Sequence, residues 1–172
     1  MLQGYVRLGC LSFLAAGSVF GAQNTEWRKP GQWEVSLRNE EDKSQQMVTV
    51  RQCTDAKSEP DMLLSMIPGQ EHCAPRKAKR MKNEVSVHTR CGVHGSRVDA
   101  QLTMTGDFAS AYHGRFSVRY FNPDVHSVRT AFDARWLSDC PAGMQPGDII
   151  LSNGIAVNVL RDKKMHENAP AH

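Results

Sequence analysis

The residues of this chain with the clearest capacity for chemistry are its cysteines, of which the 172-residue sequence has five. Cys10 lies in an apolar N-terminal run, and Cys53, Cys73, Cys91 and Cys140 are widely separated. Such thiols either pair as disulfides or bind zinc, and zinc sites usually contain a closely spaced cysteine pair that this sequence lacks. We therefore predict two disulfides, no structural metal and no cofactor.

The four cysteines allow three pairings, and the sequence favours one of them only slightly. A Lys-Asn pair typical of a turn lies midway between Cys73 and Cys91. A hairpin centred there would bring these two cysteines within disulfide distance and leave Cys53 to pair with Cys140. The alternative scheme, Cys53–Cys73 with Cys91–Cys140, closes the loop 54–72 instead and stays open at this point.

The second concentrated feature is a run of positive charge. Five of seven consecutive residues are basic: Arg76, Lys77, Lys79, Arg80 and Lys82. One interpretation is contact with the phosphates of anionic lipid headgroups or lipopolysaccharide. The favoured interpretation is a sheet edge whose lysines, with Pro75, prevent edge-to-edge pairing. A nucleic-acid partner is not predicted, because the formal charge of the whole chain is only +3.

No group of residues in the sequence matches a catalytic motif. The chain has no nucleophile elbow, zinc-protease helix, dinucleotide fingerprint or phosphate-binding loop. Its seven histidines are spread over separate segments, which is typical of surface residues rather than of converging metal ligands. We therefore predict that the protein is not an enzyme and assign no catalytic residue.

The N-terminal segment indicates the cellular compartment in which the protein folds. Residues 1–21 combine an early positive charge, Arg7, with an apolar run over 8–20 and small residues after it, which is typical of a cleavable signal peptide. The run is too short to cross a bilayer comfortably. We predict cleavage near Gly21, a periplasmic or secreted location that favours disulfides, and no transmembrane span after cleavage.

Alternation of apolar and polar residues predicts strands around these side chains. The clearest segment is 97–105, in which the apolar residues share one face. The same alternation recurs over 33–37, 47–53, 84–91, 112–120 and 126–136, and an Asn-Gly pair marks a hairpin within 149–157.

Short turns between these strands favour an antiparallel meander. We predict one all-β domain over residues 27–160 that closes into a small barrel or a sandwich. Capping residues and prolines predict one short helical segment around 54–67. Residues 161–172 are polar and end in Pro and Ala, so we predict a flexible tail there.

An ordered series of short motifs resembles a known family. The series is Trp-Arg-Lys-Pro-Gly-Gln-Trp-Glu over 27–34, Arg-Gln-Cys-Thr over 51–54, Cys73, Cys91 and Arg-Trp-Leu-Ser-Asp-Cys-Pro over 135–141. It is similar to that of the DUF3617 family, small exported proteins of proteobacteria without an assigned function. The basic run after Cys73 and the hairpin after Cys140 depart from the family pattern. The resemblance implies an all-β envelope protein and supplies no catalytic residue.

Two functions fit these expectations. Small meander barrels often enclose one ligand, and an aromatic content of 7% leaves an aliphatic interior suited to an acyl chain. We therefore predict a non-enzymatic envelope protein that binds an apolar or amphipathic ligand. The alternative is a structural or protein-interaction module that uses a sheet edge or the basic run. A cavity of a few hundred Å³, on the order of a ligand pocket, would favour the first, and a filled core the second.

Overall fold

The computed structural model describes residues 27–63, 65, 73, 77–93, 96–122 and 124–167. The predicted signal peptide therefore lies outside the described residues. The elements are β1 (Gly31–Asn39), β2 (Val48–Thr54), α1 (Glu59–Met62), β3 (Lys77–Met81), β4 (Glu84–Val93), β5 (Ser96–Gly106), β6 (Ala111–Tyr120), β7 (His126–Ser138), β8 (Asp148–Ile150), β9 (Ala156–Asn158) and α2 (Val159–Glu167).

All nine strands belong to one antiparallel sheet with the order β3-β4-β5-β6-β7-β1-β2-β8-β9. The all-β prediction is confirmed. The predicted closure into a barrel is wrong, because no pairing joins β3 to β9 within the described part of the chain, and one sheet replaces the two of a sandwich. The final strand has only three residues before α2 begins, so it presents only a short edge.

Period-two alternation gives the sheet an apolar inner face and a polar outer face. In β5, every second residue is buried, and the residues between them are exposed or half-buried. The inner face forms one core with contributions from strands across the sheet, including Trp33, Val85, Leu102, Tyr112, Phe116 and Phe132. Because one face is apolar throughout, a one-residue slip of any strand would expose its core residues, which fixes the register.

The segment 27–30 leads into β1 and packs against Trp136 of β7. Trp136 Nε1 donates a hydrogen bond to the carbonyl of Pro30 at 3.1 Å. Gly31 follows with φ +131°, and a Cβ there would lie 2.6 Å from Trp136 Nε1. The Pro-Gly-x-Trp motif thus has a physical reason, because any larger residue at Gly31 would collide with this tryptophan.

The two helices match the predictions unequally. Helix α1 lies within the predicted segment 54–67 and has Pro60 in its first turn. The predicted flexible tail is wrong over its first part, because helix α2 covers that part. Asn158 is the residue in the sequence that could have indicated this helix. Its side-chain Oδ1 accepts a hydrogen bond from the Arg161 backbone N–H at 3.0 Å and so caps the helix.

The strand directions place several turns at the same end of the sheet. Strands β1, β6 and β8 run parallel to one another through their antiparallel neighbours, so the turns that follow them lie together. We call this the upper end; it carries residues 40–47, 121–125 and 151–155. The turn 107–110 after β5 lies at the opposite, lower end.

Candidate functional site

The cysteines form two disulfides, Cys53–Cys140 and Cys73–Cys91. These are the pairs that the sequence favoured slightly. The first joins β2 to the residue that follows β7, with Cα atoms 5.6 Å apart. The second joins β4 to a residue that precedes β3. Disulfides of this kind indicate a non-cytoplasmic protein.

The basic run is divided between the two faces of a sheet edge. Strand β3 has β4 as its one neighbour among the described strands, so the run lies where the edge interpretation requires it. Arg80 shares the inner face with its cross-strand partner Val85, while Lys79 lies on the outer face opposite Ser86. Lys79, Arg80 and Lys82 are exposed. Arg76 and the side chain of Lys77 lie outside the described residues.

Arg80 also has an intramolecular role that the sequence did not indicate. Its Nη1 donates a hydrogen bond to the carbonyl of Trp27 at 2.6 Å, and its guanidinium carbon lies 5.0 Å from the centre of the Phe108 ring. The described side chains of the run therefore do not form one continuous cationic surface.

A buried polar network connects the segment before β1 to α1 and β6. Arg28 Nε contacts Glu59 Oε2 at 2.8 Å, Arg28 Nη1 donates to the Tyr112 hydroxyl at 2.6 Å, and Nη2 donates to Gln52 Oε1 at 3.0 Å. Thr54 Oγ1 donates to the same Glu59 oxygen at 2.6 Å. The side chains of Arg28 and Glu59 are each only 2% exposed. The network is a structural connection between the segment before β1, β2, α1 and β6.

The electrostatics of this network favour a charged Arg28. Burial lowers the pKa of a guanidinium, but the negative charge of Glu59 and the hydrogen bonds outweigh burial, so the pKa of Arg28 is raised. Burial also raises the pKa of Tyr112, which keeps its phenol protonated. The tyrosine hydroxyl is therefore a neutral acceptor for Arg28.

The core next to this network is tightly filled. A cavity of about 20 Å³ lies between Arg28, Gln52 and Tyr112 on one side and apolar residues on the other, namely Met62, Leu63, Leu102, Met104 and Phe132. That volume suits about one water molecule, whereas ligand pockets are on the order of 300–1,000 Å³. This described cavity is far too small for an acyl chain.

A depression of about 320 Å³ lies instead on the polar outer face, where β5, β6, β7 and β1 run side by side. We call it the outer groove. Its floor is Ala131, which lies between Arg115 of β6 and Arg38 of β1 in the cross-strand register. The depression arises because this small residue is flanked by two long side chains. The other residues that line it are Glu40, Thr103, Thr105, His113, Gly114, Phe132 and Asp133.

The charges of the outer groove form two ion pairs. Arg115 contacts both carboxylate oxygens of Glu40, at 2.7 and 2.8 Å. Arg38 Nη1 contacts Asp133 Oδ2 at 2.8 Å. The hydrogen bond from Arg115 lowers the pKa of Glu40, and the same contact raises the pKa of Arg115. The groove therefore presents charges of both signs at neutral pH.

Three side chains of chemically reactive types lie in a row across the outer groove. His113 lies between Thr105 and Asp133 in the register of β5, β6 and β7. Within the part of the chain that the structure describes, no hydrogen bond joins these three side chains. That part also contains no group of three or more histidine, cysteine or acidic residues arranged to hold a metal ion.

Sequence reasoning did not find the outer groove. Its residues come from four strands, and each strand shows only ordinary polar alternation. The one available signal was Ala131, a small apolar residue at an outer-face position of β7. Its significance depends on which arginines lie beside it across the sheet.

Comparison with known proteins gives one match. A family model described as "Protein of unknown function (DUF3617)" matches residues 28–140, well over half of the chain. No curated protein and no solved structure matches. No helix among the described residues is long and apolar enough to cross a membrane.

Proposed function

The chain belongs to the DUF3617 family, and on that premise we propose that it is an exported, non-enzymatic protein of the cell envelope that binds a partner at its outer groove. The observation that supports this best is the location of free volume. The described core cavity holds about 20 Å³, whereas the outer groove holds about 320 Å³. Among the cavities lined by described residues, the space for a partner is therefore on the surface.

The energetics of exposed ion pairs support recognition at this groove. The side chains of Arg38 and Asp133 are both more than half exposed. Pairs of this kind contribute only about 0–1 kcal/mol each. A partner that carries charges of both signs can therefore replace them with new pairs at little cost, and complementary charges then fix its orientation.

We expect that filling the groove abolishes partner binding. A photo-crosslinking residue at exposed Thr103, tested in the exporting cell, should give a discrete adduct with a partner. The substitution Ala131→Gln places a longer side chain on the groove floor and should reduce that adduct at least about 30-fold, roughly the value of one lost hot-spot contact. Ser127→Gln is the matched control, because it changes the same strand and face outside the groove.

Melting temperatures of both variants check that the fold is intact. If Ala131→Gln proves unstable, Arg115→Gln, at an exposed position, provides the second measurement. An adduct that forms equally in the groove-filled variant would contradict the proposal, as would the absence of any adduct at Thr103.

Binding of an apolar or amphipathic ligand is the second candidate, and one observation favours it. The sheet is open, and its inner face becomes less buried towards the upper end, where Val48 is exposed and Leu37, Val128 and Tyr120 are half-buried. A lipid that enters from this end would contact a largely apolar surface. Mass spectrometry of protein purified from the periplasm under native conditions decides between the candidates, because only this one predicts a stoichiometric bound lipid.

Export itself has a direct test. Protein recovered from the envelope should begin after Gly21 and contain no free thiol, because all four remaining cysteines are oxidised. Removal of Cys53–Cys140 by a double serine substitution should lower the free energy of unfolding by about 2–5 kcal/mol, while a chelator should leave the melting temperature unchanged. Recovery of the intact N-terminus together with titratable thiols would refute export.

A further inference from the structure

The arginines on the outer face of the sheet fall into two groups. Those of the first group each contact a carboxylate: Arg38, Arg51, Arg90, Arg115, Arg129 and Arg135. Arg97 and Arg119 form the second group. Among the described residues, neither contacts a carboxylate oxygen within ion-pair distance, and both are exposed. Asp99, the carboxylate opposite Arg119 in the β5–β6 register, contacts Arg90 instead, so neither arginine of the second group has a described ion-pair partner where β5 begins and β6 ends.

These two arginines are held by the same aromatic ring. The guanidinium carbon of Arg97 lies 5.0 Å from the centre of Phe121, and that of Arg119 lies 5.3 Å from it. The backbone N–H of Phe121 donates a hydrogen bond to the carbonyl of Arg97 at 3.1 Å, which fixes the ring beside β5. Cation–π contacts orient both guanidinium groups without neutralising them.

The turn that carries Phe121 also contains an exposed apolar residue. Val125 ends this turn at the upper end, and it is 61% exposed. Met47 and Ile155, in the other two described turns of the upper end, are 62% and 55% exposed. Isolated apolar residues on a surface are ordinary. Here three of them each end a separate turn at the upper end, and the turn that Val125 ends also carries Phe121, which holds two cations without described ion-pair partners.

We propose that the upper end docks on an anionic membrane surface. Arg97 and Arg119 would bind headgroup phosphates, and Val125 would enter the interface, with Met47 and Ile155 on neighbouring turns. An acidic protein surface would also attract the two arginines. The apolar residues favour the bilayer, because each is exposed at the end of a turn and none lines the outer groove or the described core cavity.

This surface is distinct from the outer groove and from the basic run. The groove includes Glu40 of the turn 40–47 but none of the residues proposed to bind the membrane, and the run lies on edge strand β3. Variants at each place therefore test the proposals separately, and the failure of one leaves the other standing.

The experiment is co-sedimentation of the mature protein with vesicles of phosphatidylglycerol and phosphatidylcholine at low and high salt. Each arginine near an anionic surface contributes about fivefold to partition. Arg97→Gln/Arg119→Gln should therefore weaken low-salt binding about 30-fold. Val125→Ser should weaken it severalfold at both salt concentrations, because an apolar contact is not screened.

Two controls carry matched or larger charge changes elsewhere. Arg51→Gln/Arg135→Gln removes the same charge from the same face but at arginines that contact Glu34. Serine at positions 77, 79 and 82 removes three charges from the basic run. We expect both to bind vesicles almost as the parent does, and the serine variant to aggregate more readily because its sheet edge is less protected.

Three results would overturn the proposal. They are failure of the parent protein to bind anionic vesicles at low salt, equal losses in the Arg51/Arg135 control, and loss of binding in the basic-run variant alone. Vesicle-independent capture of an acidic protein through Arg97 and Arg119 would replace the membrane with a protein partner.

Discussion

Replacement of Trp33 by alanine is expected to lower the free energy of unfolding by about 3–5 kcal/mol, the usual cost of truncating a large core aromatic. Trp33 is 0% exposed on the inner face. Its ring centre lies 5.1 Å from that of Tyr112, and its Nε1 donates a hydrogen bond to the carbonyl of Lys29 at 2.8 Å. The substitution therefore removes packing and a hydrogen bond together.

The measurement is urea unfolding of the mature, oxidised protein, and Trp136→Ala is the matched control. Trp136 lies directly opposite Trp33 in the β1–β7 register, but it is half-buried and has Lys29 Nζ over its ring. We expect a smaller loss there because less apolar area returns to water. Equal stability of the Trp33 variant and its parent would show that Trp33 does not belong to the core.

The second large effect is expected at the buried ion pair. Arg28→Met should cost about 3–5 kcal/mol, because it leaves the Glu59 carboxylate buried without its cation. The loss also removes the donors to Tyr112 and Gln52. The double variant Arg28→Met/Glu59→Gln should recover part of this loss, since it removes the uncompensated charge while Thr54 keeps an acceptor.

The control for this prediction is an ion pair of similar length on the surface. Arg38 and Asp133 also approach to 2.8 Å, but both side chains are more than half exposed. Arg38→Met should therefore change stability by less than about 1 kcal/mol. A double variant less stable than Arg28→Met alone would contradict the view that the unpaired charge dominates the cost.

The strands of the sheet and their buried faces could be predicted from the sequence, because the residue patterns that indicate them are local. Alternation in segments such as 97–105 identifies a strand and its buried face without any knowledge of its neighbours. The Lys-Asn turn predicted the β3–β4 hairpin, and that hairpin slightly favoured the pairing of Cys73 with Cys91 that the structure contains. Each of these inferences depends on residues fewer than twenty positions apart.

Helix α2 shows where local reasoning was incomplete. The segment is polar, and that composition favoured a tail. The cap formed by Asn158 was present in the sequence, but Asn158 is also held by contacts with Asp148 and with the carbonyl of Pro146. Asp148 belongs to β8 and Pro146 to the segment before that strand. The start of helix α2 therefore depends on tertiary packing.

The sequence by itself determined the strands, their buried faces, the hairpin over 77–93 and the family. Only the tertiary structure decided that the sheet stays open, that Arg28 meets Glu59 across 31 positions, and that Ala131 lies between two arginines. It also decided that Arg97 and Arg119 share Phe121. The physical reason is that side-chain alternation records which face a residue occupies, whereas its neighbours across the sheet depend on strand order and register.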